Sequence, residues 1–88
     1  MKEATFSIHY PYGMHARPAT VLVAKANAFK CRITLTYRGN AVNMKSIMGV
    51  MSQGIPAKTP FKVAAEGVDE EAAILAIAGA IEDINSNL

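Results

Sequence analysis

Cysteine and tryptophan are scarce in this chain of 88 residues, which has one cysteine, Cys31, and no tryptophan. A single cysteine excludes an intramolecular disulfide, and we expect Cys31 to be a buried, unreactive thiol. The absence of disulfides favours the cytoplasm as the compartment. No pattern of ligand residues indicates a metal site, and we expect neither a metal nor a cofactor.

Long apolar runs are also missing. No stretch approaches the roughly 20 residues of a transmembrane helix, and the segment from Met1 to Phe6 lacks the extended apolar region of a secretory signal peptide. We therefore expect no association with a membrane. A hydrophobic fraction of 51% still suffices for a core, and the length predicts a single domain over residues 1–88. We also expect the chain to be a monomer.

Acidic residues are nearly absent from the first three quarters of the chain. Residues 1–65 contain nine Lys or Arg and one acid, Glu3, which gives a net charge of +8. Residues 66–88 contain six acids and no Lys or Arg. A basic body suits an acidic protein partner or a phosphate. It also suits nucleic acid, but the few Phe and Tyr residues form no RNA-binding motif, so we expect no direct contact with nucleic acid.

The stretch Gly13–Ala19 is the most informative in the sequence. A short turn ends at His15, and the apolar residues that follow Pro18 have helical spacing, so the sequence predicts a helix from His15 to about Ala28. Pro18 is tolerated in a first turn, where N–H groups lack partners inside the helix. Those N–H groups and the helix dipole favour an anion and a neutral imidazole. Arg17 adds a guanidinium suited to phosphate oxygens, so this stretch indicates a histidine that carries a phosphoryl group. The alternative that the residues leave open is a capping or surface histidine with a solvated arginine beside it.

Hydrophobic periodicity predicts the order β-α-β-β-α-β-α, an α+β fold in which helices cover one face of a four-stranded sheet. Alternation around Phe6 and Ile8 predicts the first strand, with His9 on its polar face, and Arg38-Gly39-Asn40 is typical of a hairpin turn. Asp69 is the predicted cap of the last helix. The remaining predicted segments are strands over 32–37, 41–44 and 61–66, and a last helix whose apolar stripe is Ile74, Ile77, Ala78, Ile81 and Ile84.

A second informative stretch surrounds Ser46, the predicted N-cap of a short helix from Ile47 to about Gln53. Helical spacing predicts that Ile47, Val50 and Met51 face the core and that Met48 lies nearer the surface. An exposed methionine suits a surface that binds several partners. A phosphate on Ser46 would be tolerated by the helix dipole. The alternatives are that the methionines all belong to the core and that Ser46 serves only as a cap.

Together, Gly13–Ala19 and Lys45–Ser52 resemble the HPr family, the histidine-containing phosphocarriers of the phosphoenolpyruvate:sugar phosphotransferase system. The resemblance extends over the length and the order of elements, and the second stretch is similar to the form found in Gram-positive, low-GC bacteria. It implies an open-faced β-sandwich with a four-stranded antiparallel sheet. Where the family commonly has a small polar residue three positions before the histidine, this chain has Tyr12, preceded by Pro11, and Gln53 stands where an apolar residue is expected.

The resemblance also implies a function and a set of site residues. Enzyme I would phosphorylate His15 on Nδ1, and His15 would pass the group to the enzyme IIA domain of a sugar permease, so the chain would be a phosphocarrier and not an enzyme that turns over alone. Arg17 and the backbone N–H groups of Ala16 and Arg17 would bind the phosphate. Ser46 matches the site of the HPr kinase/phosphorylase, whose product binds the catabolite control repressor. The residues that match the docking patch for enzyme I and enzyme IIA are Thr20, Ile47, Met48 and Met51.

Two other functions remain open at this point. The chain could serve mainly as a regulatory partner of a transcriptional repressor through phosphorylated Ser46. It could instead be the phosphocarrier of a nitrogen-related phosphotransferase branch, although the segment around Ser46 favours the sugar system. The paralogue Crh lacks the active-site histidine, so His15 argues against that assignment.

Overall fold

A computed structural model describes residues 1–87 of the chain. Four strands and three helices follow one another in the predicted order. The bounds are β1 Lys2–Phe6, α1 Ala16–Asn27, β2 Arg32–Tyr37, β3 Asn40–Asn43, α2 Ile47–Ser52, β4 Phe61–Glu66 and α3 Glu70–Ser86.

The strands form one antiparallel sheet in the order β1-β4-β2-β3. On one face Ile33, Leu35, Val63 and Ala65 are buried and belong to the core. Because side chains alternate between the faces of a strand, Thr34, Thr36 and Lys62 lie on the other face, which is more exposed. The core continues into α1 and α3 through residues such as Leu22 and Ile77. The predicted open-faced β-sandwich is therefore confirmed.

β2 and β3 form the predicted hairpin. Arg38 and Gly39 both have positive φ, 52° and 80°, as a two-residue turn matching the twist of the strands requires. β3 begins and ends one residue earlier than predicted, because Met44 leaves the strand to enter the core. The Met44 N–H donates to the Ile33 carbonyl, with N and O 2.9 Å apart.

The predicted position of the first strand is wrong. β1 covers Lys2–Phe6 and ends before the predicted residues Ile8 and His9. Phe6 pairs with Phe61, the first residue of β4. The residue before Phe61 is Pro60, which has no N–H to continue the hydrogen bonding between the strands. Ile8 completes the apolar alternation that predicted the strand, but it is fully buried in the loop that follows β1.

α3 has Asp69 at its N-cap position, as predicted, but the Asp69 side chain does not cap the helix. Its carboxylate instead accepts hydrogen bonds from the backbone N–H groups of Lys30, at 2.8 Å, and Cys31, at 2.9 Å. These bonds, led by that from Lys30, hold the pKa of Asp69 below its ordinary value. The core face of α3 is made by Ala73, Ile77, Ala80 and Ile81, whereas Ile74, Ala78 and Ile84 of the predicted stripe are only half-buried.

Cys31 is buried, as predicted. Burial raises the pKa of its thiol, and the neighbouring Asp69 carboxylate raises it further. A thiol that remains protonated is a poor nucleophile, so the structure agrees with an unreactive Cys31.

With Asp69 replaced by Asn, the free energy of unfolding should change less as the pH is lowered from 7 to 3. Because the folded pKa of Asp69 is lowered, its hydrogen bonds stabilise the fold at neutral pH, and this contribution is lost as the pH falls through the folded pKa. Urea unfolding at pH 7 and near pH 3 measures the effect: Asp69→Asn should be less stable than wild type at pH 7, with a smaller difference at pH 3. Glu82→Gln, an exposed change on the same helix, is the control. An equal deficit for Asp69→Asn at both pH values would contradict this assignment.

Candidate functional site

His15 lies at the N-cap of α1, as predicted, in an extended conformation with φ −91° and ψ −172°. Its carbonyl accepts the Ala19 N–H at 3.0 Å, which begins the helix. The imidazole is exposed and makes no capping hydrogen bond, so it is available to another molecule.

The start of α1 presents free hydrogen-bond donors beside His15. Ala16 and Arg17 occupy the first two helical positions, whose N–H groups have no partner inside a helix, and neither donates a hydrogen bond to any residue from 1 to 87. Pro18, at the third position, has no N–H and is buried. Two backbone donors and the positive end of the helix dipole therefore lie next to an exposed imidazole, an arrangement that favours an anion.

Arg17 is exposed and adds its positive charge at the same helix end. Its side chain lines an open groove of about 310 Å³ between α1 and α3. Pro18 and Val21 from α1 and Asp83 and Ile84 from α3 also line this groove. No ion pair within the described part of the chain neutralises Arg17, so its guanidinium is available to a phosphate.

The backbone before His15 is held tightly in place. The Gly13 N–H donates to the Tyr10 carbonyl at 2.8 Å, and the Met14 N–H donates to the Ile55 carbonyl at 2.9 Å. Gly13 has a φ of +68°, and a Cβ atom there would overlap the Ile55 carbonyl oxygen. Met14 is buried in the core. The turn before His15 therefore requires glycine at position 13.

The start of the loop between β1 and α1, at Ser7 and His9, is hydrogen-bonded to α3. Asn85 accepts a hydrogen bond from the His9 N–H at 2.7 Å and donates one to the Ser7 carbonyl at 3.0 Å. The His9 imidazole is exposed, and its Nε2 lies 3.3 Å from the Ser7 hydroxyl. Nothing in this arrangement joins His9 to the donors at the start of α1.

Ser46 caps α2, as predicted. Its Oγ accepts the Gly49 N–H at 3.1 Å. The preceding residue, Lys45, ties this cap to the end of α1, because its carbonyl accepts from the Asn27 amide at 3.1 Å and its Nζ donates to the Phe29 carbonyl at 2.6 Å. The two predicted stretches thus belong to helices that contact each other.

The predicted docking residues lie on α1 and α2. Thr20 is exposed one turn beyond Ala16, and its hydroxyl donates to the Ala16 carbonyl at 2.7 Å. Met48 is 80% exposed, as predicted, and Met51 packs half-buried against the core. The prediction that Ile47 faces the core is wrong, since it is 41% exposed. In this helix of six residues, Val50 alone is fully buried, and Ile47 begins the first turn on the solvent side.

Tyr12 belongs to the surroundings of His15, although the sequence indicated only a turn and a departure from the family pattern there. The centroids of the Tyr12 and His15 rings are 6.4 Å apart, and those of Tyr12 and Tyr10 are 5.7 Å apart. An aromatic residue three positions before the histidine was the available signal, but its orientation depends on the conformation of the turn.

The described residues, 1–87, include no group of His, Cys, Asp or Glu side chains that could hold a metal ion. No helix among them is both long enough and apolar enough to cross a membrane.

Comparisons with known proteins show which family the chain belongs to. Residues 2–83 match the family described as "PTS HPr component phosphorylation site". The crystal structure of HPr-C-His from Thermoanaerobacter tengcongensis is 43% identical, covers 98% of this chain and 97% of that one, and superposes with a TM-score of 0.92. The histidine-containing phosphocarrier protein of Mycoplasma is 36% identical over 93% of both chains, with a TM-score of 0.89.

A third structure, the phosphocarrier protein HPr from Bacillus anthracis str. Ames, is 35% identical. The match covers 91% of this chain and 95% of that one, with a TM-score of 0.84. The fold, the exposed histidine at a helix N-terminus and these matches agree, and the chain belongs to the HPr family of phosphocarrier proteins of the phosphotransferase system.

Proposed function

We propose that His15 accepts a phosphoryl group from phosphorylated enzyme I and passes it to the enzyme IIA domain of a sugar permease. The single observation that supports this most is the exposed imidazole at the N-cap of α1, next to two unpaired backbone N–H groups. On this proposal the chain, residues 1–88, acts as one HPr-like domain and as a monomer. It is a carrier that other proteins phosphorylate and dephosphorylate.

The chemistry requires a nucleophilic nitrogen and a place for a dianion. The Nδ1 lone pair attacks phosphorus, so that a P–N bond forms as the bond between phosphorus and the donor breaks and the donor keeps its electron pair. The N–H groups of Ala16 and Arg17 then donate to phosphoryl oxygens, and the Arg17 guanidinium balances their charge. Transfer to enzyme IIA is the reverse step with a different partner.

The surface around this site suits acidic protein partners. Arg17 and Lys25 both lie on α1 and line the groove beside it, and Lys45 lies two residues before α2. Met48 and Ile47 present exposed apolar area on α2, and Thr20 presents a small side chain on α1. We propose that these three residues and the half-buried Met51 dock enzyme I and enzyme IIA, with apolar contact from α2 and charge complementarity around it.

We further propose that an HPr kinase/phosphorylase phosphorylates Ser46 and that the product binds the catabolite control repressor. The Ser46 side chain is half-buried and its Oγ already accepts a helix N–H, so a phosphate would sit at the favourable end of α2. The cytoplasm is the compartment we propose, in keeping with the reduced, buried Cys31.

One pair of incubations separates the phosphocarrier from a mainly regulatory protein. Phosphoenolpyruvate with enzyme I should produce an acid-labile, base-stable phosphate, as expected for phosphohistidine. ATP with the kinase should produce an acid-stable phosphate on Ser46. A protein labelled only in the second incubation would be a regulatory partner of the repressor. Acceptance from a nitrogen-branch enzyme I in preference to the sugar-branch enzyme would indicate the nitrogen-related alternative.

Reversing the charge of Arg17 should slow transfer strongly. Arg17→Glu removes a charge-assisted hydrogen bond and places a carboxylate beside the phosphoryl group, so the rate should fall about ten- to a hundredfold. Rapid-quench measurement of transfer from phosphorylated enzyme I gives the rate. Lys30→Glu makes the same change of charge in the loop after α1 and is the matched control. If both variants slow transfer equally, Arg17 acts only through the overall charge.

A negative charge at Ser46 should weaken binding of enzyme I without unfolding α2. Ser46→Asp places the charge at the favoured end of the helix, so the circular dichroism spectrum should not change. The charge would nevertheless meet an acidic partner beside Ile47 and Met48, so affinity should fall, and should fall less at high salt. Isothermal titration at two ionic strengths tests this, with the neutral Ser46→Asn as control. Wild-type affinity at low salt would contradict the mechanism.

A further inference from the structure

Three aromatic rings stand in series at the start of α1. Tyr10 and Tyr12 meet edge to face, with centroids 5.7 Å apart and an interplanar angle of 62°. Tyr12 and His15 are tilted at 56°, with centroids 6.4 Å apart. Rings at 4.5–7 Å in tilted or edge-to-face geometry attract one another. Tyr12 is therefore the link between a half-buried ring and the imidazole.

The backbone conformation of the turn sets the position of Tyr12, because its side chain is 75% exposed and is not held by burial. Pro11 fixes φ in the turn, and the bond from the Gly13 N–H to the Tyr10 carbonyl closes it. Tyr10 packs against the core and lines the groove between α1 and α3. The Tyr12 ring thus stands on a rigid turn, with the anchored Tyr10 ring on one side and His15 on the other.

His15 lacks any other restraint on its ring. The imidazole makes no capping bond, and no hydrogen bond to it is formed by the residues from 1 to 87. Without a neighbouring ring, an exposed imidazole at an N-cap would change its side-chain rotamer on a picosecond to nanosecond timescale. Transfer needs one ring nitrogen held at the free N–H groups of Ala16 and Arg17, so rotation lowers the fraction of molecules that are ready to react.

We propose that Tyr12 is a positioning residue for His15, whose ring limits rotation of the imidazole and keeps the accepting nitrogen at the start of α1. This inference rests on the proposed phosphocarrier function. Tyr12 does not touch the phosphoryl group in the reaction; it acts through His15. The attraction in one aromatic pair corresponds to a change of about two- to tenfold in the population of the held orientation.

Nuclear magnetic resonance of the unphosphorylated protein tests the contact directly. Wild type and Tyr12→Phe should show nuclear Overhauser contacts between the ring protons of residues 12 and 15. In Tyr12→Ser the His15 ring protons should shift away from their wild-type positions as the aromatic neighbour is lost. Leu75→Ser, which removes an apolar side chain of similar exposure on α3, is the matched control and should leave the His15 signals in place.

Transfer kinetics test the consequence. Tyr12→Ser should lower kcat for transfer from phosphorylated enzyme I about two- to tenfold with KM nearly unchanged, and Tyr12→Phe should restore the wild-type rate. His15 ring signals that are the same in Tyr12→Ser and wild type would overturn the proposal. A loss confined to KM would overturn it as well, because it would make Tyr12 a contact for enzyme I. If wild type accepts no phosphate, the proposed function fails, while the contacts between the two rings still show whether Tyr12 holds the His15 ring.

Discussion

His15→Ala should abolish acceptance of phosphate from enzyme I. His15 is the imidazole that lies beside the free N–H groups of Ala16 and Arg17, and alanine has no nucleophilic atom to replace it. Incubation with enzyme I and labelled phosphoenolpyruvate, followed by acid treatment, measures the acid-labile phosphate. The fold should be retained, because the His15 side chain is exposed and makes no capping bond. The free energy of unfolding should change by about 0.5 kcal/mol or less.

His9→Ala is the matched control for this experiment. It removes the other exposed imidazole of the chain, which lies against Ser7 and away from the start of α1. Because Asn85 accepts from the His9 backbone and not from its ring, the loop should keep its attachment to α3. His9→Ala should therefore accept phosphate as wild type does. Acid-labile phosphate that persists in His15→Ala and disappears in His9→Ala would reverse the assignment.

Gly13→Ala should strongly lower the free energy of unfolding. The backbone at φ +68° disfavours an L side chain, and the new Cβ would overlap the Ile55 carbonyl oxygen and approach the Ala57 nitrogen to 2.8 Å. Both obstacles are backbone atoms, which cannot rotate away. The penalties for the left-handed conformation and for overpacking together are about 2–5 kcal/mol. Urea unfolding measures this loss, and transfer should slow because His15 is two residues away.

Gly54→Ala separates the two causes. Gly54 has a similar φ, +58°, but a Cβ there meets no atom within 4 Å. Its replacement should therefore cost only the backbone term, about 1–2 kcal/mol. If Gly13→Ala is no less stable than Gly54→Ala, the contact between the turn before His15 and the loop that contains Ile55 is not a constraint on the sequence.

Features that depend on neighbouring residues were determined by the sequence alone. The alternation in residues 32–37 and 61–66 predicted β2 and β4 at their observed bounds, since burial of every second side chain leaves its pattern within one strand. The start of α1 was equally local: His15 and Pro18 mark the N-cap and the first turn. The candidate phosphate site could be predicted because its nucleophile, donors and cation occupy three consecutive positions.

Features that depend on a distant partner were decided only by the tertiary structure. β1 ends at Phe6 because its neighbour β4 begins at Phe61, 55 positions later in the chain. Asp69 leaves its own helix to bind the N–H groups of Lys30 and Cys31, a choice no local pattern records. The approach of the Tyr12 ring to His15 depends in the same way on a turn held against Ile55. Local periodicity reports which residues are buried, whereas the partner against which each is buried emerges only when the chain folds back on itself.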